Sequence, residues 1–376
     1  MNVIEKGTLV NNNLSYQDFA ILLALETNPS MPMTELAQLL GITRITAKRK
    51  VDDLFERGII RKIIAIYDPL TLGLQRTYVL AQVQSITDLG KLEQACDEHP
   101  YTHYRARAFG GAFHLFMQFD IPKGSTKLLQ GFFEQLKKRK IVSTFEIFTS
   151  IGIGKNRFAD LTRFNMEISR WHFSWKEWFK LTERASKTLP EVPEIKIDLS
   201  TFNPKQFQIL RFLTMDGAIK QSELKDKLKM SKTQTHRDYN YVLNHYIETK
   251  RLLFDRSIFD LTEFYLGIGY NVPDKIKAEL YHTLENNPPP FQLTYNILEG
   301  GHIILSANMS PAQASEFAFS MWEKIPRSKI FNLDTQKSKL YWFYPENFDF
   351  TLKQWKVSKE YMITEPLEKL KKNGEK

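Results

Sequence analysis

The sequence contains the same pattern twice. Residues 17–60 align without a gap with residues 205–248, at an offset of 188 positions. Identical residues occupy nine aligned positions: Phe19/Phe207, Ile21/Ile209, Leu22/Leu210, Leu25/Leu213, Glu35/Glu223, Leu36/Leu224, Leu40/Leu228, Arg49/Arg237 and Ile59/Ile247. Unrelated helices can share apolar spacing by chance. An ungapped match of this length, followed by further correspondences, indicates an internal duplication instead.

The later correspondences extend the repeat to most of the chain. Gly110-Gly111 recurs as Gly300-Gly301, each pair between apolar, strand-like runs, and "FSWKEW" (173–178) recurs as "FTLKQW" (350–355). Residues 186–200 carry two prolines and several charges, which is typical of a linker. We therefore predict two diverged copies of one unit. The aromatic hexapeptides are expected to be packing segments rather than platforms for stacking bases.

Each copy begins with three helical segments. In the first copy, residues 16–26 carry an apolar stripe, and "MTELAQLLG" begins at a candidate N-cap, Thr34, and ends at Gly41. The third segment follows a second candidate N-cap, Thr43, and stops at Gly58. Two short helices around a tight turn, followed by the β-rich "IIRKIIAIYD", predict a winged helix-turn-helix.

The rest of each copy has the order strand, helix, strand, strand, helix, strand. In the first copy these elements are predicted at 78–83, 89–98, 101–109, 112–120, 125–139 and 141–151. In the second copy they are predicted at 264–272, 274–287, 291–299, 302–309, 311–325 and 329–336. This order is that of the ferredoxin-like fold. One face of such a sheet lacks helices, and we expect it to be buried against a partner.

The predicted fold class is therefore α+β, a tandem repeat of winged helix-turn-helix and βαββαβ ferredoxin-like domains. The predicted boundaries are 14–74 for the first winged helix-turn-helix, 75–182 for the first ferredoxin-like domain with a C-terminal extension, 183–200 for the linker, 201–260 for the second winged helix-turn-helix, and 261–366 for the second ferredoxin-like domain with its extension.

The third helix of the first copy is cationic on one side. Its inward face is predicted to consist of Ala47, Val51, Leu54 and Phe55, and residues 43–62 contain seven cations and three anions. A solvated helix face could look the same. However, these cations cluster at the N-terminal half of the helix, where the helix dipole disfavours positive charge unless an anion binds there. The net charge of +9 also favours an acidic partner.

The candidate DNA contacts are the residues on the outward, cationic side of this helix and at the start of the following strand. The residues expected to enter a major groove are Arg44, Thr46, Lys48, Arg49 and Lys50, and those expected to meet phosphate are Arg61 and Lys62. The second copy offers Lys232, Gln234, His236 and Arg237. Its corresponding stretch, 231–250, carries only three cations against two anions. For the second copy, DNA contact and a purely structural role both remain open.

Several classes of function lack support in the sequence. Cys96 is the only cysteine, so no intrachain disulfide or multi-cysteine zinc site can form. No nucleotide-binding loop, dinucleotide fingerprint, zinc-protease motif or nucleophile elbow occurs. No apolar run approaches the roughly 20 residues that span a bilayer, and the first ten residues do not form a signal peptide. We expect a cytoplasmic protein without a metal, a cofactor or membrane contact.

The first copy resembles the Lrp/AsnC family of prokaryotic transcription regulators. Residues 18–74 carry the likeness, including "ERGII" at the end of the third helix and the "DPLTLGL" hinge. The resemblance implies a double-stranded operator as partner, ferredoxin-like (RAM-type) domains that dimerise sheet to sheet, and a small effector between them. The effector candidates are Gly110, Gly111, Gly300 and Gly301. The family usually has an acidic residue shortly after this glycine. Here Gly111 is followed by Ala112-Phe113-His114 and Gly301 by His302-Ile303-Ile304. A tight strand-to-strand turn is therefore the competing interpretation.

The function predicted from these features is a sequence-specific regulator acting as a single-chain pseudodimer, with further homo-oligomerisation left open. Siroheme decarboxylases resemble the same family and also combine two such units. On that alternative, His103 and His114 would do chemistry on a tetrapyrrole held by Arg105 and Arg107. A third alternative is an architectural DNA-binding protein, which differs from a regulator in its ratio of specific to non-specific affinity.

Overall fold

A computed structural model of the chain describes residues 14–192 and 194–374. We refer to these two ranges as the N-terminal half and the C-terminal half. The helices are α1 (Tyr16–Thr27), α2 (Met33–Leu40), α3 (Arg44–Glu56), α4 (Ile86–Glu98), α5 (Thr126–Lys138), α6 (Trp175–Leu181), α7 (Pro204–Met215), α8 (Gln221–Leu228), α9 (Lys232–His245), α10 (Asp274–Asn286), α11 (Pro311–Lys324) and α12 (Glu365–Gly374).

The strands alternate with these helices in a similar order in both halves. They are β1 (Ile60–Tyr67), β2 (Leu74–Gln82), β3 (Thr102–Phe109), β4 (Leu115–Pro122), β5 (Thr144–Arg157), β6 (Phe164–Asn165), β7 (Arg170–Trp171), β8 (Ile247–Phe254), β9 (Glu263–Gly269), β10 (Leu293–Leu298), β11 (His302–Met309), β12 (Ser328–Leu340), β13 (Phe348–Asp349) and β14 (Gln354–Trp355).

Capping residues account for several of the helix ends in the first helical segment, α1–α3. Ser15 and Asp18 form a reciprocal capping box at the start of α1. The Thr43 hydroxyl accepts a hydrogen bond from the Thr46 amide, which confirms the predicted N-cap of α3. Gly41 has φ +66°, in the left-handed region where glycine is favoured. Thr34 was the wrong N-cap, because the N-cap is Pro32 and α2 begins at Met33, which places Thr34 inside the helix.

The inward face of α3 is also corrected at one position. Ala47 and Leu54 are fully buried and Val51 nearly so, as predicted. Phe55 is 38% exposed, so it lies at the margin of the core and not inside it. A helix turns by about 100° per residue, which carries Phe55 away from the direction of Leu54.

The predicted wing strand does not fold back into a hairpin of its own. Instead β1 pairs antiparallel with β8 in a two-stranded sheet. In the centre of this sheet Ile63 lies opposite Leu252 and Ile64 lies opposite Arg251. The sheet therefore joins the first helical segment directly to the second, α7–α9.

The remaining long strands form one closed barrel in the order β10-β11-β9-β12-β3-β4-β2-β5. Two antiparallel pairings, β3 with β12 and β5 with β10, cross between the halves. The barrel strands contribute to one hydrophobic cluster. Its buried side chains come from both halves and include Tyr78, Phe116, Phe148, Leu266, Ile304 and Phe331. The expected burial of the sheet faces against each other is thus observed within one chain.

The two principal hydrophobic cores each combine residues of both halves. One core joins Leu22 and Leu54 of the first helical segment to Leu280 and Phe317 near the C-terminal half of the barrel. The other joins the second helical segment, including Leu210, to the α4 and α5 region of the N-terminal half. Since each helical segment packs with the opposite half, neither half contains a complete core of its own.

The aromatic hexapeptides pack in the same crossed manner. Trp175 is fully buried, with its ring 4.8 Å from that of Phe317, and the Trp178 indole donates to the Asn287 carbonyl at 2.9 Å. In return, the Trp355 indole donates to the Leu72 carbonyl at 2.8 Å. We call residues 164–184 and 348–370 the crossed extensions. Their packing role agrees with the prediction.

Within the described residues, no helix combines the length and apolar character that crossing a bilayer requires. The same residues contain no group of three or more His, Cys, Asp or Glu side chains arranged to hold a metal ion.

Candidate nucleic-acid interface

The outward face of α3 carries exposed cations. Arg44, Lys48 and Arg49 are exposed, while Thr46 and Lys50 are half-buried. Thr46 is also engaged locally, because its hydroxyl lies 2.9 Å from that of Thr43. Arg44, Lys48 and Arg49 are therefore the predicted groove residues that are exposed to solvent.

The cations of α3 differ in their partners. Lys48 pairs with Asp52 at 2.5 Å one turn away, and Lys50 lies 3.4 Å from Asp18. Burial opposes ionisation of Asp18, but hydrogen bonds from Ser15 and the charge of Lys50 lower its pKa. Neither Arg44 nor Arg49 has a hydrogen-bond or ion-pair partner among the residues that the structure describes. These two guanidinium groups are therefore available to an external anion or base edge.

The phosphate candidates lie at the start of β1. Arg61 and Lys62 are exposed, and the Arg61 guanidinium lies 3.8 Å from Asp255, which follows β8. At this exposure an ion pair of such length contributes little stability. Arg61 can therefore exchange Asp255 for a phosphate oxygen at low cost.

The corresponding face of α9 is less cationic. Lys232, His236 and Arg237 are exposed and Gln234 is half-buried. Both ring nitrogens of His236 have partners, Gln221 at 3.2 Å and Asn240 at 3.1 Å. The Arg237 Nε donates to the buried Asp238 carboxylate at 3.1 Å. Burial also lowers the pKa of Lys250, which lies within β8 and not on the α9 surface. This surface offers fewer free cations than α3.

The glycine pairs lie in the turns between β3 and β4 and between β10 and β11. Gly110 has φ +87°, and a Cβ on Gly111 would lie 2.5 Å from the Phe331 ring. The first pair is thus required both by backbone conformation and by the close approach of an aromatic ring. This geometry leaves no space beside Gly111 on the side of Phe331.

A buried polar cluster was not anticipated from the sequence. Arg76 donates two hydrogen bonds of 2.8 Å to Asp120, the Tyr67 hydroxyl donates to the same carboxylate at 2.6 Å, and His103 Nδ1 lies 3.3 Å from it. Burial would raise the pKa of Asp120, yet Arg76 and these hydrogen bonds hold it well below its usual range. Burial lowers the pKa of His103 to about 4. A neutral imidazole therefore lies beside a charged pair at neutral pH.

No local signal could have revealed this cluster, because its members are separated by up to 53 positions along the chain. Only the pairing of β2 with β4, which places Arg76 opposite Asp120, brings the two charges together.

The other residues considered for tetrapyrrole chemistry have internal partners. Arg105 pairs with Glu93 and Asp97 at 3.1 and 3.0 Å, and Arg107 forms two hydrogen bonds of 2.9 Å to Glu93. His114 Nδ1 accepts a hydrogen bond from the Val83 amide at 3.2 Å. Arg105 and Arg107 therefore each have a carboxylate partner within the protein.

A large open cavity lies between the β1–β2 hinge, the linker and the second crossed extension. It has a volume of about 1090 Å³. Its charged lining residues are Lys123, Lys356, Glu299, Asp349, Glu360 and Glu365. Four carboxylates against two ammonium groups disfavour a polyanionic ligand. None of the four candidate effector glycines is among its lining residues.

Comparison with known proteins adds a family for the first helical segment. Residues 14–61 match the family of winged helix-turn-helix DNA-binding domains. No curated protein matches the chain.

Among solved structures, the siroheme decarboxylase NirDL has 12% sequence identity and a TM-score of 0.54, with 96% of this chain and all of that chain covered. An AsnC family transcriptional regulator from Agrobacterium tumefaciens has 18% identity and a TM-score of 0.32, with 36% of this chain and 90% of that chain covered. The full-length likeness to NirDL shows a shared fold.

Proposed function

We propose that this protein is a sequence-specific, DNA-binding transcription regulator that acts as a single-chain pseudodimer of two diverged units. One observation carries the proposal: a domain of the winged helix-turn-helix DNA-binding family presents two exposed arginines, Arg44 and Arg49, without partners among the described residues. The described residues provide no counter-charge for these two arginines, and a polyanion such as DNA would provide one.

The pairing of β1 with β8 supports the pseudodimer. At the offset of 188 positions Ile63 corresponds to Arg251 and Ile64 to Leu252. Because Ile63 pairs with Leu252 and Ile64 with Arg251, exchanging the two units reproduces the same pairing. Such self-complementary contact is the property of a twofold interface between like subunits. The two crossed strand pairings in the barrel and the two crossed extensions have the same reciprocity.

On this proposal, α3 enters a major groove with Arg44, Lys48 and Arg49 towards the bases. An arginine that donates two hydrogen bonds to guanine provides ~1–3 kcal/mol of discrimination against a wrong base. Lys50, Arg61 and Lys62 flank this face and would contact phosphate, which makes the affinity depend on salt concentration.

The second helical segment is proposed as the reader of a second half-site, through Lys232, Gln234 and Arg237. Its exposed cations are fewer, so it contributes fewer phosphate contacts than α3. For the glycine pairs we propose the turn role, since the approach of Phe331 to Gly111 and the positive φ of Gly300 and Gly301 account for glycine there without an effector.

A tetrapyrrole enzyme is the second candidate, because the fold of NirDL extends over 96% of this chain. The local chemistry favours it less. Arg105 and Arg107 are paired with carboxylates, His103 is buried, and the large cavity is lined by more carboxylates than ammonium groups. A ligand with several carboxylates needs free cations.

The two candidates can be separated with the purified full chain. Binding to the DNA upstream of its own gene is measured by fluorescence anisotropy with excess scrambled duplex present, and an absorbance scan is recorded after addition of siroheme. A regulator retains its affinity against the competitor and leaves the siroheme spectrum unchanged. Binding that the competitor abolishes would identify an architectural protein. A changed siroheme spectrum without DNA binding would identify the enzyme.

A further inference from the structure

The two proposed recognition helices differ at almost every outward position. At the offset of 188 the aligned outward pairs are Arg44/Lys232, Ile45/Thr233, Thr46/Gln234, Lys48/His236 and Arg49/Arg237. Only the arginine is shared. Since residues on this face determine which bases are read, two helices this different cannot prefer the same half-site.

Ile45 is the most informative of these positions. Its side chain is 82% exposed, the highest value among the large exposed apolar residues of the described chain. Single exposed apolar residues are common on protein surfaces. Ile45, however, lies one turn from Lys48 and Arg49 on the same face of α3, where it places an apolar surface among cations. In a major groove the apolar group of matching chemistry is the C5-methyl of thymine.

The α9 face has a different chemistry. Thr233, at the position of Ile45, is exposed and carries a hydroxyl. Gln234 replaces Thr46 and can donate to and accept from adenine, whereas His236 is held by Gln221 and Asn240. Asp238, at the position of Lys50, is buried and binds Arg237. This face therefore reads mainly by hydrogen bonds, and the single methyl of Thr233 is a smaller apolar surface than the side chain of Ile45.

The two proposed recognition helices belong to one molecule, so their difference affects the symmetry of the DNA site. In a homodimer the two readers are identical, so the operator is a palindrome. Here β1 and β8 hold one helical segment of each kind in every molecule.

We infer that the target is a non-palindromic duplex with two dissimilar half-sites, and that Ile45 selects a thymine by its methyl group in the half-site of α3. This inference rests on the proposed DNA-binding function. A thymine-to-uracil replacement removes only that methyl group, so it tests the contact without altering base pairing.

The full chain is first used to select binding sites from random duplexes. The selected site is expected to lack twofold symmetry. Each thymine of that site is then replaced by uracil in turn. Removal of one methyl should weaken binding about fourfold, the ratio that corresponds to ~0.8 kcal/mol for a buried methyl-sized group. In I45A the same replacement should change the affinity less than twofold. The exposure of Ile45 makes this variant a mild change to the fold.

A second variant keeps the test independent of Ile45. Substituting K232R, T233I, Q234T and H236K gives α9 the outward residues of α3 and should shift the selected site towards a palindrome. A palindromic site for the unaltered chain would overturn the inference but leave DNA binding intact. An equal uracil effect with and without Ile45 would overturn the methyl contact. Absence of specific binding to any duplex would overturn the inference together with the proposed function.

Discussion

Arg49 is the residue on which the DNA-binding proposal depends most directly. It is exposed, it has no hydrogen-bond or ion-pair partner within residues 14–192 and 194–374, and the aligned position of the second helix also carries arginine. Its neighbour Lys48 has only an exposed partner on the same helix, Asp52. Neither side chain contributes to the core, so both can be removed without loss of packing.

The double substitution K48A/R49A is accordingly predicted to abolish sequence-specific binding and to leave the thermal unfolding midpoint within about 2 °C. Loss of one bidentate arginine and one phosphate contact should lower the specific affinity by at least tenfold. The matched control is K176A, which removes an exposed lysine from α6. Unchanged specific affinity in K48A/R49A would refute the assignment of α3 as the reading helix.

Two buried histidines make stability depend on pH. Burial lowers the pKa of His99 to about 3 and that of His103 to about 4, whereas the unfolded value is about 6.5. The unfolded chain therefore binds more protons below pH 6.5, and stability falls as the pH decreases from 6.5 towards 4.

We predict that H99L weakens this pH dependence, removing about 3 kcal/mol of the stability loss between pH 6.5 and 4. Loss of the hydrogen bond from the Tyr101 amide to His99 adds a cost that is independent of pH. Denaturant unfolding at several pH values measures both effects. The control L92A should lower stability at every pH with an unchanged slope. A pH dependence identical in H99L and the unaltered chain would contradict the role of His99.

Residue-scale features were predictable from the sequence where the interaction is local. Thr43 caps α3 through an amide three residues away, and Gly41 adopts a left-handed conformation that its own lack of a Cβ permits. The Arg76–Asp120 pair depends on strand register. Phe55 was misplaced because a helical period gives a direction but not the width of the surface that covers it.

At the scale of elements, the crossed extensions are the features that hold the halves together. The ring of Trp355 stacks on that of Phe207 at 5.9 Å, and its indole donates to the Leu72 carbonyl. One side chain thus contacts the second helical segment and the β1–β2 hinge at the same time.

W355A is therefore predicted to destabilise the protein by about 3–5 kcal/mol, the cost of truncating a buried aromatic side chain. The unfolding transition should remain single when it is followed by tryptophan fluorescence and by circular dichroism. The control is W322A, because Trp322 is 58% exposed; its effect should stay within about 0.5 kcal/mol. Equal effects of the two substitutions would contradict the packing role of the extension.

Strand lengths show what local patterns miss. The last strands of the two ferredoxin-like orders were predicted at 141–151 and 329–336, whereas β5 extends to Arg157 and β12 to Leu340. The additional residues pair with β10 and β3 of the opposite half. A strand that is completed by a distant partner carries no local sign of its full length.

At the scale of the whole molecule, both cores and the barrel require both halves. We predict that cleavage of the chain between Lys187 and Thr188, within the linker, leaves the fragments associated as a heterodimer of one copy each. Separately expressed fragments should fail to fold, because each lacks the helical segment and the extension that complete its core. Native mass spectrometry of co-expressed and single fragments provides the measurement. Two monomeric fragments that each unfold cooperatively would contradict the crossed arrangement.

The repeat in the sequence predicted two helical parts and two sheets, but not how they exchange partners. Crossing is decided by the packing of surfaces such as Trp175 against Phe317 and Trp355 against Tyr101, and an aromatic hexapeptide would look the same if it packed on its own half.

DNA reading by this protein is tested most directly by a salt titration of the full chain on its selected duplex, with a scrambled duplex measured in parallel. For a sequence-reading regulator the logarithm of affinity should fall linearly with the logarithm of salt concentration, with a slope of about −0.9 per phosphate contacted. The selected duplex should also bind about 1,000-fold more tightly than the scrambled one, or better, which is the order expected for specific recognition. A slope near zero, or equal affinity for the two duplexes, would contradict a sequence-reading regulator.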